Sequence, residues 1–237
     1  MDGVTGKTLL SDFHQAYDKQ LSSAQGSSYS TYIRYLQARD ASGAGEYWKD
    51  YLQGVYPCLF PSFSVASTDV DPSTARSVNS VPYSFGNGNN LQAFCQHHGI
   101  TISSLMQVAW GIVLHIYTGN ESVCFGYLTS GRDIPLHNAH EIAGPLINLL
   151  ICRLSFNDDT SILSTLLDNQ ASFAQSIEHQ HFSMTDIMHS LSLSGQSLFN
   201  TAMSLQKESG DQIPAHDSSI TLEEVVGYDA TEVCASF

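Results

Sequence analysis

Between Thr101 and Leu154 the spacing of apolar positions changes from helical to strand-like. Ile102, Leu105, Met106, Ala109, Ile112, Val113, Ile116 and Tyr117 recur every three or four residues, which predicts a helix with one broad apolar face. Thr101 and Ser103 offer N-cap oxygens, and Gly119-Asn120 supplies a left-handed stop. Residues 122–128 are dense in β-branched and aromatic side chains and read as a strand. Ser130-Gly131-Arg132-Asp133 breaks it, and residues 146–156 give a second strand, apolar except at Asn148, Arg153 and Ser155. A strand apolar along its length suits a sheet covered on both faces. Asn148 and Arg153 then need a reason: hydrogen bonds to loops at the strand ends, or a polar task.

The flanking chain follows the same logic. Leu9, Leu10, Phe13, Tyr17 and Leu21 form a helical stripe, and Tyr32, Ile33, Tyr35 and Leu36 a shorter one. Residues 44–52 predict a third helix with Trp48, Tyr51 and Leu52 on one side. Pro57, Pro61 and Pro72, among serines and acids, mark residues 54–75 as a crossing linker. Residues 80–85 read as a strand, Gly86-Asn87-Gly88 as a turn and 91–97 as a short helix. Asp159 or Thr160 should cap a helix whose stripe is Ile162, Leu163, Leu166, Leu167, Phe173 and Ile177. A short helix over 184–191, a strand over 199–205, a polar loop over 207–219 and a strand starting near Thr231 complete the reading. No internal repeat occurs, and the order of elements predicts a mixed α/β fold.

Composition narrows the classes. With 237 residues and 42% hydrophobic content the chain can bury a substantial core. A formal charge of -14 disfavours a nucleic-acid backbone or an anionic membrane as partner. The apolar runs are too short for a membrane span, and residue 1 opens no secretory signal pattern. Cys58, Cys95, Cys124, Cys152 and Cys234 are odd in number and lack any C-x-x-C pair, which predicts reduced, buried thiols in a cytoplasmic protein. His137 with His140, and His179 with His181, have spacings a metal could use, but no third ligand is placed, so no metal site is predicted. No G-x-S-x-G elbow, Walker loop or G-x-G-x-x-G run occurs.

Several segments, in order, resemble the condensation domains of fungal nonribosomal peptide synthetases. They are the run from Tyr47-Trp48 to Gln53-Gly54; Ala109-Trp110 through Tyr117-Thr118-Gly119; Val123-Cys124-Phe125-Gly126; and Ser130-Gly131-Arg132. Gly144-Pro145-Leu146-Ile147-Asn148-Leu149 to Arg153 is similar to the family's loop that floors the active-site tunnel. His179-Gln180-His181, and Leu198-Phe199-Asn200-Thr201 with Ser204 and Gln206, resemble weaker motifs of the family. Met1-Asp2-Gly3 fits the last three positions of its H-H-x-x-x-D-G motif.

The resemblance implies a chloramphenicol-acetyltransferase-like α/β sandwich, the fold of CoA-dependent acyltransferases, with an incomplete second lobe. Residues 1–55 would end the N-terminal lobe, 56–76 cross over, and 77–237 belong to the C-terminal lobe. It implies amide or ester formation between carrier-protein-bound acyl groups, whose phosphopantetheine arms are substrates, with no directly bound cofactor. Carrier domains and neighbouring synthetase domains are the implied partners. Asp2 and Gly3 carry over as loop-shaping residues, and Ser130, Gly131, Arg132, Gly144, Asn148 and Arg153 as residues of the substrate tunnel. Asn148 would polarise the acyl carbonyl or place a pantetheine amide; Arg132 would pair with an acid or steady the floor loop. Both motif histidines would precede residue 1, so the expectation is a truncated chain, inactive alone.

His97-His98 lacks an Asp-Gly at the required offset and is expected to be a helix-end pair. His14 and Asp18 have the H-x-x-x-D spacing of other acyl-CoA acyltransferases, but Lys19 replaces the glycine. The alternative from another class is a non-catalytic module that binds a carrier protein or completes another chain's half-domain.

Overall fold

The computed structural model describes residues 2–18, 20–21, 26–39, 42–61, 81–83, 86, 88–157, 159–206 and 235–236. Their helices are α1 (Gly3–Tyr17), α2 (Tyr29–Ala38), α3 (Ser42–Tyr51), α4 (Gly88–His98), α5 (Ile102–Thr118), α6 (Ile162–Glu178) and α7 (Met184–Ser190). Their strands are β1 (Ser122–Thr129), β2 (Asn148–Ser155), β3 (Ala202–Met203), β4 (Leu205–Gln206) and β5 (Ala235–Ser236).

Side-chain caps start five of the helices: Asp2 for α1, Ser28 for α2, Thr101 for α5, Ser161 for α6 and Ser183 for α7. Each oxygen accepts a backbone N–H that the helix leaves unpaired. The cap of α6 is thus Ser161, one residue beyond the expected pair. Gly119, at φ 69°, ends α5 as its sequence predicts.

The chain divides into two compact units. The larger comprises mainly Ser42–Leu128 and Leu149–Gln206. At its centre is a sheet of order β2-β1-β3, with β1 and β3 parallel and Gly126 opposite Ala202. Phe156 N–H, just past β2, donates to Glu121 O, just before β1, so those two strands run antiparallel. Val123, Cys124, Phe125, Gly126 and Tyr127 are all buried, the pattern of a strand covered on both faces. Helix α5 packs on α4 and α6, and α3 on α7. Trp48, Leu52, Leu114, Leu150, Ile151 and Leu166 fill the core between these elements. Cys58 N–H bonds to Leu198 O, and the Asn200 side-chain amide pairs with Phe60 N–H at 2.7 Å and Phe60 C=O at 2.9 Å. Helices α4 and α5 meet at a 106° corner. Gln170 of α6 closes that corner, donating to Gly99 O at 3.0 Å and accepting Thr101 N–H at 2.8 Å.

The smaller unit comprises mainly Met1–Ala41 and Thr129–Asn148. Tyr32, Ala139, Ile142 and Leu146 form its own small core, with Tyr29, Tyr35, Leu36, Ile134 and Leu136 around it.

Several expectations change. Helix α1 starts at Gly3, where Asp2 caps it. It stops at Tyr17, short of Leu21, and its stripe is exposed: Phe13 and Tyr17 keep 54% and 55% of their surface, and Thr5 is the buried residue of the helix. Within the predicted 80–85 strand, Val81, Pro82 and Tyr83 are irregular and exposed, as a proline without an N–H donor favours; the rest lies outside the described residues. The predicted 199–205 strand is two short ones, β3 and β4, separated at Ser204. Of the strand expected from Thr231 only β5 is described, parallel to β4. Most of the 54–75 linker and the 207–219 loop fall outside the described residues.

Gly126 tests this packing, since a Cβ there would lie 2.8 Å from the Phe199 ring and 2.9 Å from Leu149 Cδ1. Gly126→Ala should cost about 1–3 kcal/mol by overpacking, seen as a lower urea midpoint at unchanged slope.

Candidate functional site

The smaller unit holds seven of the eight site residues named from the sequence, with one buried ion pair among them. Asp2 lies at the start of α1 because its carboxylate is the N-cap: Oδ1 accepts Thr5 N–H at 2.8 Å. The same carboxylate receives Arg132 Nη2 at 3.0 and 2.9 Å and Leu146 N–H at 3.3 Å. The side chains of Arg132 and Asp2 retain 7% and 3% of their surface. Burial alone would raise the Asp2 pKa. The hydrogen bonds from Thr5, Arg132 and Leu146 outweigh it and hold the carboxyl down to about 2.

Arg132 reaches further than Asp2. Its Nη1 donates to the carbonyls of Ala139 at 3.0 Å, His140 at 3.2 Å and Ile142 at 2.9 Å, gathering the oxygens at the end of the 3-10 turn Ala139–Glu141. A cation there meets the negative end of the turn's aligned peptides. Nη2 also lies 3.4 Å from Thr5 Oγ1 and 3.5 Å from Gly144 O. One guanidinium therefore ties α1, the 139–142 turn and the 144–146 run together, and planar forked donors suit that geometry.

Gly131 permits this approach. At φ +63° it adopts a conformation that other residues disfavour, and a Cβ there would stand 1.7 Å from Leu146 O. That virtual Cβ also falls 3.3 Å from Asn148 Nδ2, so the 130–132 turn lies against the run leading into β2. Exposed Ser130 accepts Arg132 N–H at 3.3 Å on its Oγ. Gly144 faces the Tyr29 ring, where a Cβ would meet Cδ2 at 2.3 Å. Asn148, half-buried, is the first residue of β2. A side chain at Gly3 would meet nothing within 4 Å.

Arg153 belongs to the larger unit, and its contacts are of another kind. Nη1 donates to Tyr51 O at 2.8 Å and Gln53 O at 2.9 Å, closing the end of α3, and Nε reaches Ser122 Oγ at 3.2 Å. Its backbone N–H bonds to Tyr51 Oη at 2.9 Å. Burial pushes the Tyr51 hydroxyl well above its usual pKa.

Sequence reasoning missed Thr5, whose hydroxyl contacts Gly144 N, Gly144 O and Arg132. The signal that could have found it is its place three residues after a capping aspartate. Tyr29 was missed too, and sequence carries no sign of its contact with Gly144.

The remaining candidates stay apart. His97 is exposed and His98 half-buried at the end of α4, their rings 4.8 Å apart edge to face. His137 and His140 are exposed. Among the described residues no group of three His, Cys, Asp or Glu is placed to hold a metal ion. Cys58, Cys95, Cys124 and Cys152 are free and buried, and Cys234 lies outside the described residues. Burial pushes the Cys124 thiol up to about 12 and raises Cys152 as well, which leaves both unreactive at neutral pH. No single described helix is long and apolar enough to cross a membrane.

Known proteins share this arrangement of sequence. The family model for the condensation domain matches residues 1–232. A nonribosomal peptide synthetase of Aspergillus campestris is 38% identical over 233 residues, covering 98% of this chain and 2% of the relative. The malformin synthetase of Aspergillus brasiliensis is 38% identical over 206 residues, covering 87% of this chain and 4% of the relative. Among solved structures, the first condensation domain of the CDA synthetase superposes with a TM-score of 0.64 at 18% identity, over 87% of this chain and 47% of that one. A mutant starter condensation domain of rhizomide synthetase, in complex with C8-CoA, gives 0.64 at 20% identity over the same shares. Those domains have the CoA-dependent acyltransferase fold, and this chain shares it. It spans a few per cent of its curated relatives and just under half of these solved domains.

Two outcomes follow from the ion pair. A carboxyl depressed in the folded state stabilises it above its unfolded pKa of 3.8, and that contribution fades as pH falls towards about 2. Thermal melting of the wild type should therefore drop more steeply between pH 4 and pH 2 than that of Asp2→Asn, by about 2 kcal/mol over the range. Arg132→Met keeps the length but leaves the carboxylate buried without its cation, and should cost about 3–5 kcal/mol in denaturant unfolding. Adding Asp2→Asn to Arg132→Met should recover part of that loss, and a purely additive double variant would contradict the coupling.

Proposed function

The chain belongs to the condensation-domain family, and from that premise we propose that it forms the floor and one wall of a tunnel where two carrier-bound substrates are joined. The reaction is amide, or ester, formation in secondary-metabolite peptide synthesis. An acceptor amine nitrogen attacks the carbonyl carbon of a donor thioester. The C–N bond forms, the C–S bond breaks, and the proton given up by the amine ends on the departing pantetheine thiol. Such chemistry needs a neutral amine, two substrates held in attack geometry and polar groups near the developing oxyanion.

One observation carries the reading: the buried Asp2–Arg132 pair fixes the Asp-Gly run and the 144–148 run to each other. In this proposal Ser130, Gly144 and Asn148 border the substrate path, with the Asn148 amide directed to the acyl carbonyl or to a pantetheine amide. Gly131 and Arg132 hold them from behind, and Arg153 steadies the strand that Asn148 begins. The phosphopantetheine arms arrive as substrates on carrier domains of the surrounding synthetase, in the cytoplasm, where four buried free thiols remain reduced. Residues 1–55 and 77–237 contribute to two lobes joined across residues 56–76.

The test compares two proteins given the same pair of loaded carrier domains. One is the 237-residue chain. The other joins these residues to the preceding half of a complete relative, which brings both histidines of H-H-x-x-x-D-G. Amide product from the joined protein alone is the expected result. Turnover by the 237-residue chain would place proton handling within it, and a folded joined protein that makes no product would sink the proposal.

A further inference from the structure

Thr5 sits where a threonine would ordinarily be an indifferent first-turn residue, yet it is the buried position of α1. Its Oγ1 lies 3.0 Å from Gly144 N, 3.0 Å from Gly144 O and 3.4 Å from Arg132 Nη2. A hydroxyl offers one donor and two acceptor sites. Here it donates to the Gly144 carbonyl and accepts from the Gly144 N–H and the guanidinium, so its capacity is filled. Both polar groups of one residue are thereby held by one side-chain atom, which fixes the orientation of the peptide units on either side of Gly144.

The neighbours make that orientation matter. The Tyr29 ring closes the space beside Gly144, and its hydroxyl donates to Pro145 O at 3.4 Å. Leu146 N–H is held by Asp2 Oδ2. The first turn of α1 thus holds the 144–146 run at two points, through Thr5 at its start and through Asp2 at its end. Asn148 follows two residues later. Without the Thr5 hydroxyl, Leu146 remains tied to Asp2, but Gly144 keeps only the 3.5 Å contact of its carbonyl with Arg132 Nη2 and Pro145 only the 3.4 Å hydrogen bond from Tyr29. The start of the run is then held more loosely than its end, and the path from it to Asn148 is less closely defined.

We infer that Thr5 is a positioning residue of the condensation reaction, acting through the Gly144 peptide on the placement of Asn148; this rests on the function proposed above. It touches no reacting atom. A displacement on the order of 1 Å at a reacting group costs about a hundredfold in rate, so the effect belongs in kcat and not in substrate binding.

The experiment uses the joined, condensing protein with Thr5→Val, which keeps the branched shape and removes the hydroxyl, and Thr5→Ser, which restores it. Thr5→Val should lower kcat by about tenfold to a hundredfold with KM within about threefold of wild type, and Thr5→Ser should return kcat to within about threefold. Amide exchange at Gly144 should quicken by about tenfold or more in the valine variant and remain slow in the serine variant. Equal kcat for wild type and Thr5→Val overturns the inference, as does a serine variant that falls with the valine one. Should Thr5→Val fail to fold, Thr5→Ala takes its place; if neither folds, the hydroxyl serves folding and the inference is overturned. A wild-type joined protein without product removes the proposed function itself, and with it this role, which separates the two failures.

Discussion

A guanidinium and a carboxylate removed from water together are the condition on which the smaller unit depends. Neither could be buried alone without a cost of several kcal/mol. Their pairing is accompanied by hydrogen bonds to most of the polar atoms of both groups: Asp2 accepts from a helix start and a loop, and Arg132 donates to three carbonyl oxygens of the 139–142 turn. The pair also spans the chain, joining residue 2 to residue 132. Among the described residues the unit's buried apolar core is small, resting on Tyr32, Ala139, Ile142 and Leu146. Polar specificity, more than apolar area, defines this part of the fold.

The larger unit is organised by the opposite means. Its central strand is buried on both faces, and its helices meet through large apolar side chains. Polar groups appear inside it as matched pairs, such as Asn169 Nδ2 on Gln107 Oε1 at 2.8 Å and Cys152 Sγ on Asn169 Oδ1 at 3.3 Å. These satisfy one another and leave the surrounding packing undisturbed.

That contrast explains what was legible from the sequence. Helix α5 and strand β1 could be read, and β2 to within two residues of its start at Asn148, because periodicity and capping residues act locally and each signal agrees with the next. The motif residues Asp2, Gly131, Arg132, Gly144 and Asn148 could be named from their resemblance to a family, and geometry supplied the partner that sequence left open for Arg132. The stripe of Leu9, Phe13 and Tyr17 marks α1 but not its limits, which the Asp2 cap sets at one end and which fall short of Leu21 at the other. Thr5 and Tyr29 escaped notice for a different reason. Their partners lie more than a hundred residues away, and no local spacing encodes such a contact. Arg153, by contrast, was noticed as a polar interruption, and it closes the end of α3 through two carbonyls.

One small device in the larger unit bears on how that unit moves. The Gln170 amide spans the corner between α4 and α5, bonded to a carbonyl on one side of it and an N–H on the other. Because both ends of a planar amide are engaged, α6 acts as a set square for the other two helices. A hinge at Gly99, which its conformational freedom would otherwise favour, has to break both of these hydrogen bonds to open. The corner between α4 and α5 is thereby braced from outside, by a side chain of a third helix.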